Sequence, residues 1–331
     1  MLAVQDLGVA FGDIEPLSSV SFALERGEIL GIVGESGSGK SLTAMSVMGL
    51  LPLQGGRITR GSVNFDGQEL TRLPEKEYRK LRGGRIGLIT QNPMTSLDPL
   101  QKIGIQIDSV IELHLGLNRT QARARTVDIL GSLRIPEPSL ICDRYPHQMS
   151  GGMKQRIVIA MALAADPDLL IADEPTTALD VTVQAQIIKL LKDLVKERDL
   201  ALILITHDMS VVAQTCDKVV VMYAGRAIEQ GDVQAIFHRP QHPYTQALIQ
   251  CIPHGLAKGQ KLTGIKGVVP TVKNYPQGCA FHPRCERAQA ICSQQQPAFI
   301  SVENSFEGLR TATAGSTMKS TVACHFPGEQ A

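Results

Sequence analysis

Eight residues, Gly34-Glu35-Ser36-Gly37-Ser38-Gly39-Lys40-Ser41, constrain the fold of this chain more than any other stretch. They match G-x-x-x-x-G-K-[ST] in full, after an apolar run (Ile29–Val33) and before a helix-compatible segment (Leu42 to Leu50). The glycines let backbone N–H groups turn inward around phosphate oxygens, and a helix N-terminus adds its partial positive charge. In such a loop Lys40 reaches the β- and γ-phosphates of a nucleotide and Ser41 gives its hydroxyl to Mg²⁺. A glycine-rich turn that only links strand to helix is the plainer alternative. It leaves the Lys40-Ser41 pair without a reason.

A second apolar strand, Leu169–Ala172, ends in two acids, Asp173 and Glu174. A carboxylate at a strand end can hold Mg²⁺ through water, and its neighbour can orient or deprotonate an attacking water. The two acids could instead cap the next helix, a role that Pro175 and Thr176 allow. That role does not explain their company with a phosphate loop.

Strand and helix patterns alternate over residues 1 to about 230, which predicts a mostly parallel sheet with helical crossovers. Leu200–Thr206 reads as another buried strand, and Val219–Tyr223 as a strand entering the Ala224-Gly225 turn. Val183, Ile187, Leu190, Leu191, Leu194 and Val195 recur at helical spacing. Residues 99–165 carry few strand-like runs and read as a helical insertion. Beyond about residue 231, Pro240, Pro243, Pro253, Pro270, Pro276 and Pro283 break the periodicity and mark a linker and a small, loop-rich tail.

Hydrophobic residues at 43% and charged residues at 20% describe a core-forming chain and exclude a disordered or fibrous one. The net charge of +1 provides no global basic field, so nucleic acid is not an expected partner. The most apolar stretch, Ile157 to Ala172, is cut by Asp166, Pro167 and Asp168, which predicts no bilayer span. The first residues, MLAVQDLGVAFGD, lack the basic start of a secretory signal, so a cytosolic chain is expected.

Met149-Ser150-Gly151-Gly152-Met153-Lys154-Gln155-Arg156, taken with the phosphate loop and the two acids, resembles the signature of ATP-binding cassette (ABC) ATPases. The resemblance runs over residues 1 to about 250. It implies an α/β P-loop NTPase cassette in residues 1–235, with a mostly parallel core sheet, an antiparallel β subdomain and a helical subdomain at about 99–165. A small irregular C-terminal extension (236–331) follows. Phe11, 29 residues before Lys40, stands where the family stacks an aromatic on adenine, although an ordinary strand phenylalanine also fits. Gln91 matches the glutamine that senses Mg²⁺ and faces the transmembrane partner, and Ala178-Leu179-Asp180 matches the segment after the acids. His207 matches the histidine that contacts the γ-phosphate.

The resemblance thus implies a nucleotide site of Phe11, the loop Gly34 to Ser41, Gln91 and Asp173, with Mg²⁺ held by Ser41, Gln91 and Asp173. Catalysis falls to Glu174 and His207. Ser150, Gly151, Gly152 and Met153 are expected to close over ATP bound to a partner subunit. Met149 stands for the usual Leu, Met153 for Gln, and Thr90 for a frequent aromatic, while Ser150-Gly151-Gly152 is intact.

Tyr145-Pro146-His147-Gln148, Asn92 to Pro99, His242 to Leu248 and Gly278 to Cys285 resemble the oligopeptide, dipeptide and nickel importer branch. That branch implies an ATPase subunit energising uptake of di- or oligopeptides or a related small solute. The implied partners are a second, homologous and often different ATPase subunit, two transmembrane permease subunits and, indirectly, an extracytoplasmic solute-binding protein. The implied location is the cytoplasmic face of the inner membrane, peripherally bound. A soluble ABC-type ATPase acting on ribosomes or DNA is the alternative; such proteins usually carry two cassettes or a coiled-coil insertion. An exporter subunit and a cassette that only binds ATP fit less well, given the tail and the presence of Glu174 and His207.

Four of the seven cysteines, Cys279, Cys285, Cys292 and Cys324, crowd the tail, and clustered cysteines in a cytosolic chain argue for metal before disulfides. Their spacing is too open for the paired C-x₂-C of most structural zinc sites. Four thiolates suit an iron–sulfur cluster, whose bridging sulfides let its ligands stand further apart. Resemblance to the importer extension implies a four-iron four-sulfur (4Fe-4S) cluster of structural role. Zinc, with His282 and His325 as substitute ligands, is the second choice, and four unligated thiols the plainest.

Overall fold

Twelve strands are found among the described residues: β1 (Leu2–Phe11), β2 (Ile14–Leu24), β3 (Ile29–Val33), β4 (Gly56–Phe65), β5 (Gln68–Glu69), β6 (Ile86–Ile89), β7 (Leu169–Asp173), β8 (Ala201–Thr206), β9 (Lys218–Tyr223), β10 (Arg226–Asp232), β11 (Ile300–Asn304) and β12 (Met318–Val322). The computed structural model describes residues 1–177, 179–252, 264–304 and 318–328. The chain divides into two compact units, one of residues 1–23, 30–71 and 206–331, the other of residues 24–29 and 72–205.

In the first unit the strand order is β5-β4-β1-β2-β10-β9-β3. β1 and β4 pair antiparallel from Leu2↔Phe65 to Phe11↔Gly56. β3 pairs parallel with β9 from Leu30↔Lys218 to Val33↔Val221. Every residue of β3 is buried, which is why it reads as an unbroken apolar run and not as an alternating one.

The tail does more than loop. β12 pairs antiparallel with β10, Glu229↔Val322 to Gly231↔Ser320, and β11 pairs with β12. Ser320 and Val322 are buried while Lys319 is exposed and Thr321 half-buried, the period of two that a strand with one covered face requires. Two strands therefore join a sheet from a segment in which the sequence shows little strand signal.

In the second unit β6, β7 and β8 form a parallel ladder, Ile86↔Leu169 and Leu169↔Ala201 setting the register. The helix Val181–Arg198 buries Ile187, Leu190, Leu191, Leu194 and Val195 on one side, the spacing read from the sequence. Asp180 caps it by accepting from Val183 N at 2.9 Å. Helices also occupy Ile103–Leu115, Arg119–Ser132 and Gly151–Leu163. The first two are tied by the buried Asp108, which accepts from Arg123 Nη2 at 2.7 Å and from Thr126 Oγ1 at 2.5 Å. No helix among the described residues is long and apolar enough to cross a membrane.

The short helix Pro243–Gln250 is fastened to β10 from inside the first unit. Glu229, fully buried, accepts from the backbone N–H of Gln241 at 2.7 Å and of His242 at 3.0 Å. His242 Nδ1 in turn accepts from Tyr244 N at 3.0 Å. Burial pushes the Glu229 carboxyl up to about 7 and the His242 imidazole down to about 3. The two act on stability with opposite sign. Glu229 contributes most below its unfolded pKa and less as pH rises through about 7. His242 contributes fully above its unfolded value of 6.5, and that contribution fades as pH falls towards about 3. His242→Asn keeps an acceptor for Tyr244 N but cannot titrate. Chemical unfolding at pH 7.5 and pH 5 is expected to show the wild type losing about 2 kcal/mol more than His242→Asn over that interval.

Candidate functional site

In the first unit the phosphate loop runs from the end of β3 into the helix Lys40–Val47. Gly34 has φ 151°, and a Cβ there would stand 2.2 Å from the carbonyl oxygen of Met222 on β9. Gly39 begins the helix at φ 101°, and a Cβ there would meet Leu17 at 2.7 Å. The backbone contact excludes a side chain at Gly34, and the positive φ disfavours one at Gly39. Gly225 N, in the β9–β10 turn, donates to Ser38 O at 3.0 Å and fixes the middle of the loop. Lys40 is 6% exposed, and its Nζ donates to Gly34 O at 2.9 Å and Glu35 O at 3.0 Å. The ammonium is thus folded over the loop's own carbonyls, at the end of the helix where N–H groups lack intrahelical partners. Ser41 is half-buried in the first turn, and Ser36 and Gly37 are exposed at the loop's tip.

Glu35 has every polar group engaged. Its N–H donates to Tyr244 Oη at 2.9 Å, and its carbonyl takes Lys40. Its carboxylate receives both terminal nitrogens of Arg284, at 2.7 and 3.1 Å. Sequence reasoning missed Arg284 and Tyr244 as neighbours of the loop. Both stand in strings that mark a branch of a family, which is the only signal the sequence carries for them.

Phe11 closes β1 opposite Gly56, half-buried, and a Cβ on Gly56 would lie 2.7 Å from its ring. His207 is exposed just past the carboxyl end of β8, followed by Asp208, which caps the next helix.

In the second unit Asp173 ends β7, half-buried, and Glu174 follows with a left-handed backbone, φ 47°. A non-glycine residue holds that conformation at a cost of about 1–2 kcal/mol, so its surroundings must impose it. They do: Glu174 N donates to Ile205 O at 2.9 Å. The carboxylate is oriented through Oε2, which accepts from Gln91 Nε2 at 3.1 Å and Thr177 Oγ1 at 3.0 Å. Gln91 and Glu174, 83 residues apart, are therefore one constellation. Leu179 and Asp180 follow, while Ala178 lies outside the described residues.

Ser150 caps the helix Gly151–Leu163, its Oγ accepting from Met153 N at 3.3 Å. Ser150 and Gly151 are exposed and Gly152 and Met153 half-buried, so this N-terminus opens to solvent.

Cys279, Cys285, Cys292 and Cys324 line one small pocket of the first unit together with His242, Phe281 and His325. Cys279 N donates to Cys292 O at 2.8 Å, drawing two of the four together. Burial pushes the Cys279 thiol up to about 11 and raises Cys285 and Cys324 as well. Among the described residues no three His, Cys, Asp or Glu side chains converge closely enough to hold a single metal ion.

Comparison with known proteins places these features. The family model described as ABC transporter matches residues 17–177, and the model for the oligopeptide/dipeptide transporter C-terminal region matches residues 228–292. The dipeptide transport ATP-binding protein DppD of Escherichia coli is 48% identical over 302 residues, 90% of this chain and 92% of that protein. The chain belongs to the ABC transporter ATPases, in their oligopeptide/dipeptide branch. The oligopeptide transport ATP-binding protein OppD of Bacillus subtilis is 47% identical, covering 92% of this chain and 86% of its own. Among solved structures, a dimeric ATP-binding cassette, MJ0796, in a post-hydrolysis state with ADP and Pi, aligns with a TM-score of 0.63 at 27% identity. The alignment covers 70% of this chain and 99% of that one. CbiO1 of Clostridium perfringens, part of an ABC transporter complex, aligns with a TM-score of 0.64 at 31% identity, over 72% and 90% of the two chains. This ABC ATPase therefore has the expected α/β cassette fold and is an ATP hydrolase by family.

Gly34→Ala is expected to wreck the loop, because its methyl would meet a strand carbonyl and not a side chain that can yield. A loss of about 2 kcal/mol or more in thermal or chemical unfolding, with ATP binding abolished, checks this.

Proposed function

We propose that this ATPase energises an importer of di- or oligopeptides, or of a related small solute, as one half of a head-to-tail pair docked on a membrane permease. The observation that carries the reading is Glu174: a carboxylate on a left-handed backbone, oriented by Gln91 and Thr177 at the end of a buried strand. The names of the relatives, dipeptide and oligopeptide transport ATP-binding proteins, support the solute class.

In this reading Phe11 stacks on adenine and the loop Gly34 to Ser41 wraps the phosphates, Lys40 leaving its carbonyl partners for the β- and γ-phosphates. Ser41, Gln91 and Asp173 hold Mg²⁺, which when bound neutralises the charge on the phosphate oxygens. Glu174 takes the proton of the attacking water as general base. His207 contacts the γ-phosphate. The open N-terminus at Ser150, Gly151, Gly152 and Met153 caps the ATP of the opposite subunit, so that ATP occupancy favours the closed pair and drives the permease. The division into a cassette of residues 1–235, with its helical part at 99–165, and an extension of residues 236–331 belongs to this proposal. So do the homologous second ATPase, the two permease subunits, the extracytoplasmic binding protein and the cytoplasmic face of the inner membrane.

Lys40→Ala is expected to raise the dissociation constant for ATP about tenfold or more, since a charge-assisted phosphate contact is lost. Glu174→Gln should bind ATP normally and slow phosphate release by about 10²–10⁴-fold. Wild-type turnover by Glu174→Gln sinks the mechanism. Co-purification with ribosomes in place of membrane proteins would favour the transport-free alternative.

A second proposal concerns the cysteines. Cys279, Cys285, Cys292 and Cys324 line one pocket, with His325 and His282 beside them. Their gathering in one pocket is what supports a 4Fe-4S cluster held by Cys279, Cys285, Cys292 and Cys324, which would supply a structural link in the tail; zinc with His282 or His325 is the second choice. Anaerobic purification decides. A brown chain with about four irons supports the cluster; a colourless chain with one zinc supports the second choice. Four titratable thiols without metal remove both.

A further inference from the structure

Two side chains of the C-terminal segment close on one residue of the phosphate loop. Arg284 lies in the short turn His282–Arg284, 249 residues after Glu35, yet its side chain is only 5% exposed. Its terminal nitrogens meet Glu35 Oε2 at 2.7 Å and Oε1 at 3.1 Å, the two-pronged match that guanidinium and carboxylate form best. The fork is itself held in place. Arg284 Nε donates to Lys266 O at 2.8 Å, and the guanidinium lies 5.8 Å from the ring centres of both Tyr223 and Phe281. Tyr244, fully buried, accepts from Glu35 N at 2.9 Å.

A carboxylate in a triphosphate-binding loop is an electrostatic liability. Unpaired, Glu35 would repel the nucleotide from within the loop that must hold it. Paired to a buried guanidinium, its charge is neutralised and its backbone is fixed before ATP arrives, so less ordering entropy is lost on binding.

We propose that Arg284 and Tyr244 are positioning residues for nucleotide binding: the C-terminal segment sets the ATP affinity of the phosphate loop by neutralising and fixing Glu35. The proposal rests on the reading of Gly34 to Ser41 as the ATP site, and adds a control that lies outside the cassette motifs.

The test is equilibrium titration of the full chain with ATP and Mg²⁺, alongside steady-state hydrolysis. Arg284→Ala should raise the dissociation constant about tenfold, with KM following it and turnover at saturating ATP changing far less. Adding Glu35→Gln to Arg284→Ala should recover most of the lost affinity, because the uncompensated charge is gone. Tyr244→Phe should weaken binding by about threefold, the scale of one neutral hydrogen bond. If Arg284→Ala does not fold, Arg284→Lys serves in its place: it keeps the charge, loses the fork, and should weaken binding by about threefold. A folded Arg284 variant with wild-type affinity overturns the proposal, and so does a weakening that Glu35→Gln leaves untouched, since that marks a merely structural tail. A wild-type chain that binds no ATP instead removes the reading of the loop itself, and the proposal with it.

Discussion

The carbonyl of Met222 stands 2.2 Å from where any side chain at residue 34 would begin. Much of the first unit follows from that approach. β3 can pair with β9 from Leu30↔Lys218 to Val33↔Val221 and still release the chain into a tight loop, because Gly34 turns against a strand backbone at φ 151°. The β9–β10 turn then closes on the loop from the other side through Gly225 N and Ser38 O. The entry and the middle of the loop are therefore shaped by main-chain neighbours, while Glu35 is held by the Tyr244 and Arg284 side chains.

The second unit solves a different problem by different means. There the reactive group is a side chain, and the backbone beneath it is bent to suit. Glu174 is carried over the end of β7 in a left-handed turn whose N–H is taken by Ile205, and Gln91 arrives from the end of the neighbouring strand β6 to orient its carboxylate. The first unit thus holds a rigid bowl of peptide groups, and the second holds a poised acid.

The parts of this arrangement that were legible in the sequence share one property: their signals are local. β3, β7 and β8 show as short apolar runs because they are buried on both faces, and the helix Val181–Arg198 shows by its 3.6-residue stripe. The phosphate loop, the acids and the Ser150-Gly151-Gly152 cap show because backbone geometry demands particular residues at fixed offsets. What stayed hidden is set by partners far away in the chain. Nothing near Arg284 says that its counter-charge is Glu35, and nothing near Glu229 says that a strand glutamate will be fully buried to hold the start of a helix. β11 and β12 were equally hidden, since their segment looks polar and earns its strand character only by lying along β10.

That last pairing bears on where the chain can be cut. Along Glu229 to Gly231, β10 is lined on one side by β12, and Ser320 packs so closely that a Cβ on Gly231 would lie 2.5 Å from Lys319 O. A fragment ending after the helix Pro243–Gln250 would keep every nucleotide motif and still bare this stretch of ladder. Its open N–H and C=O groups would be a template for pairing with another molecule. Such a fragment would be sticky for reasons unconnected with catalysis, and a shortened chain that precipitates would say more about an uncovered sheet edge than about the role of the residues removed.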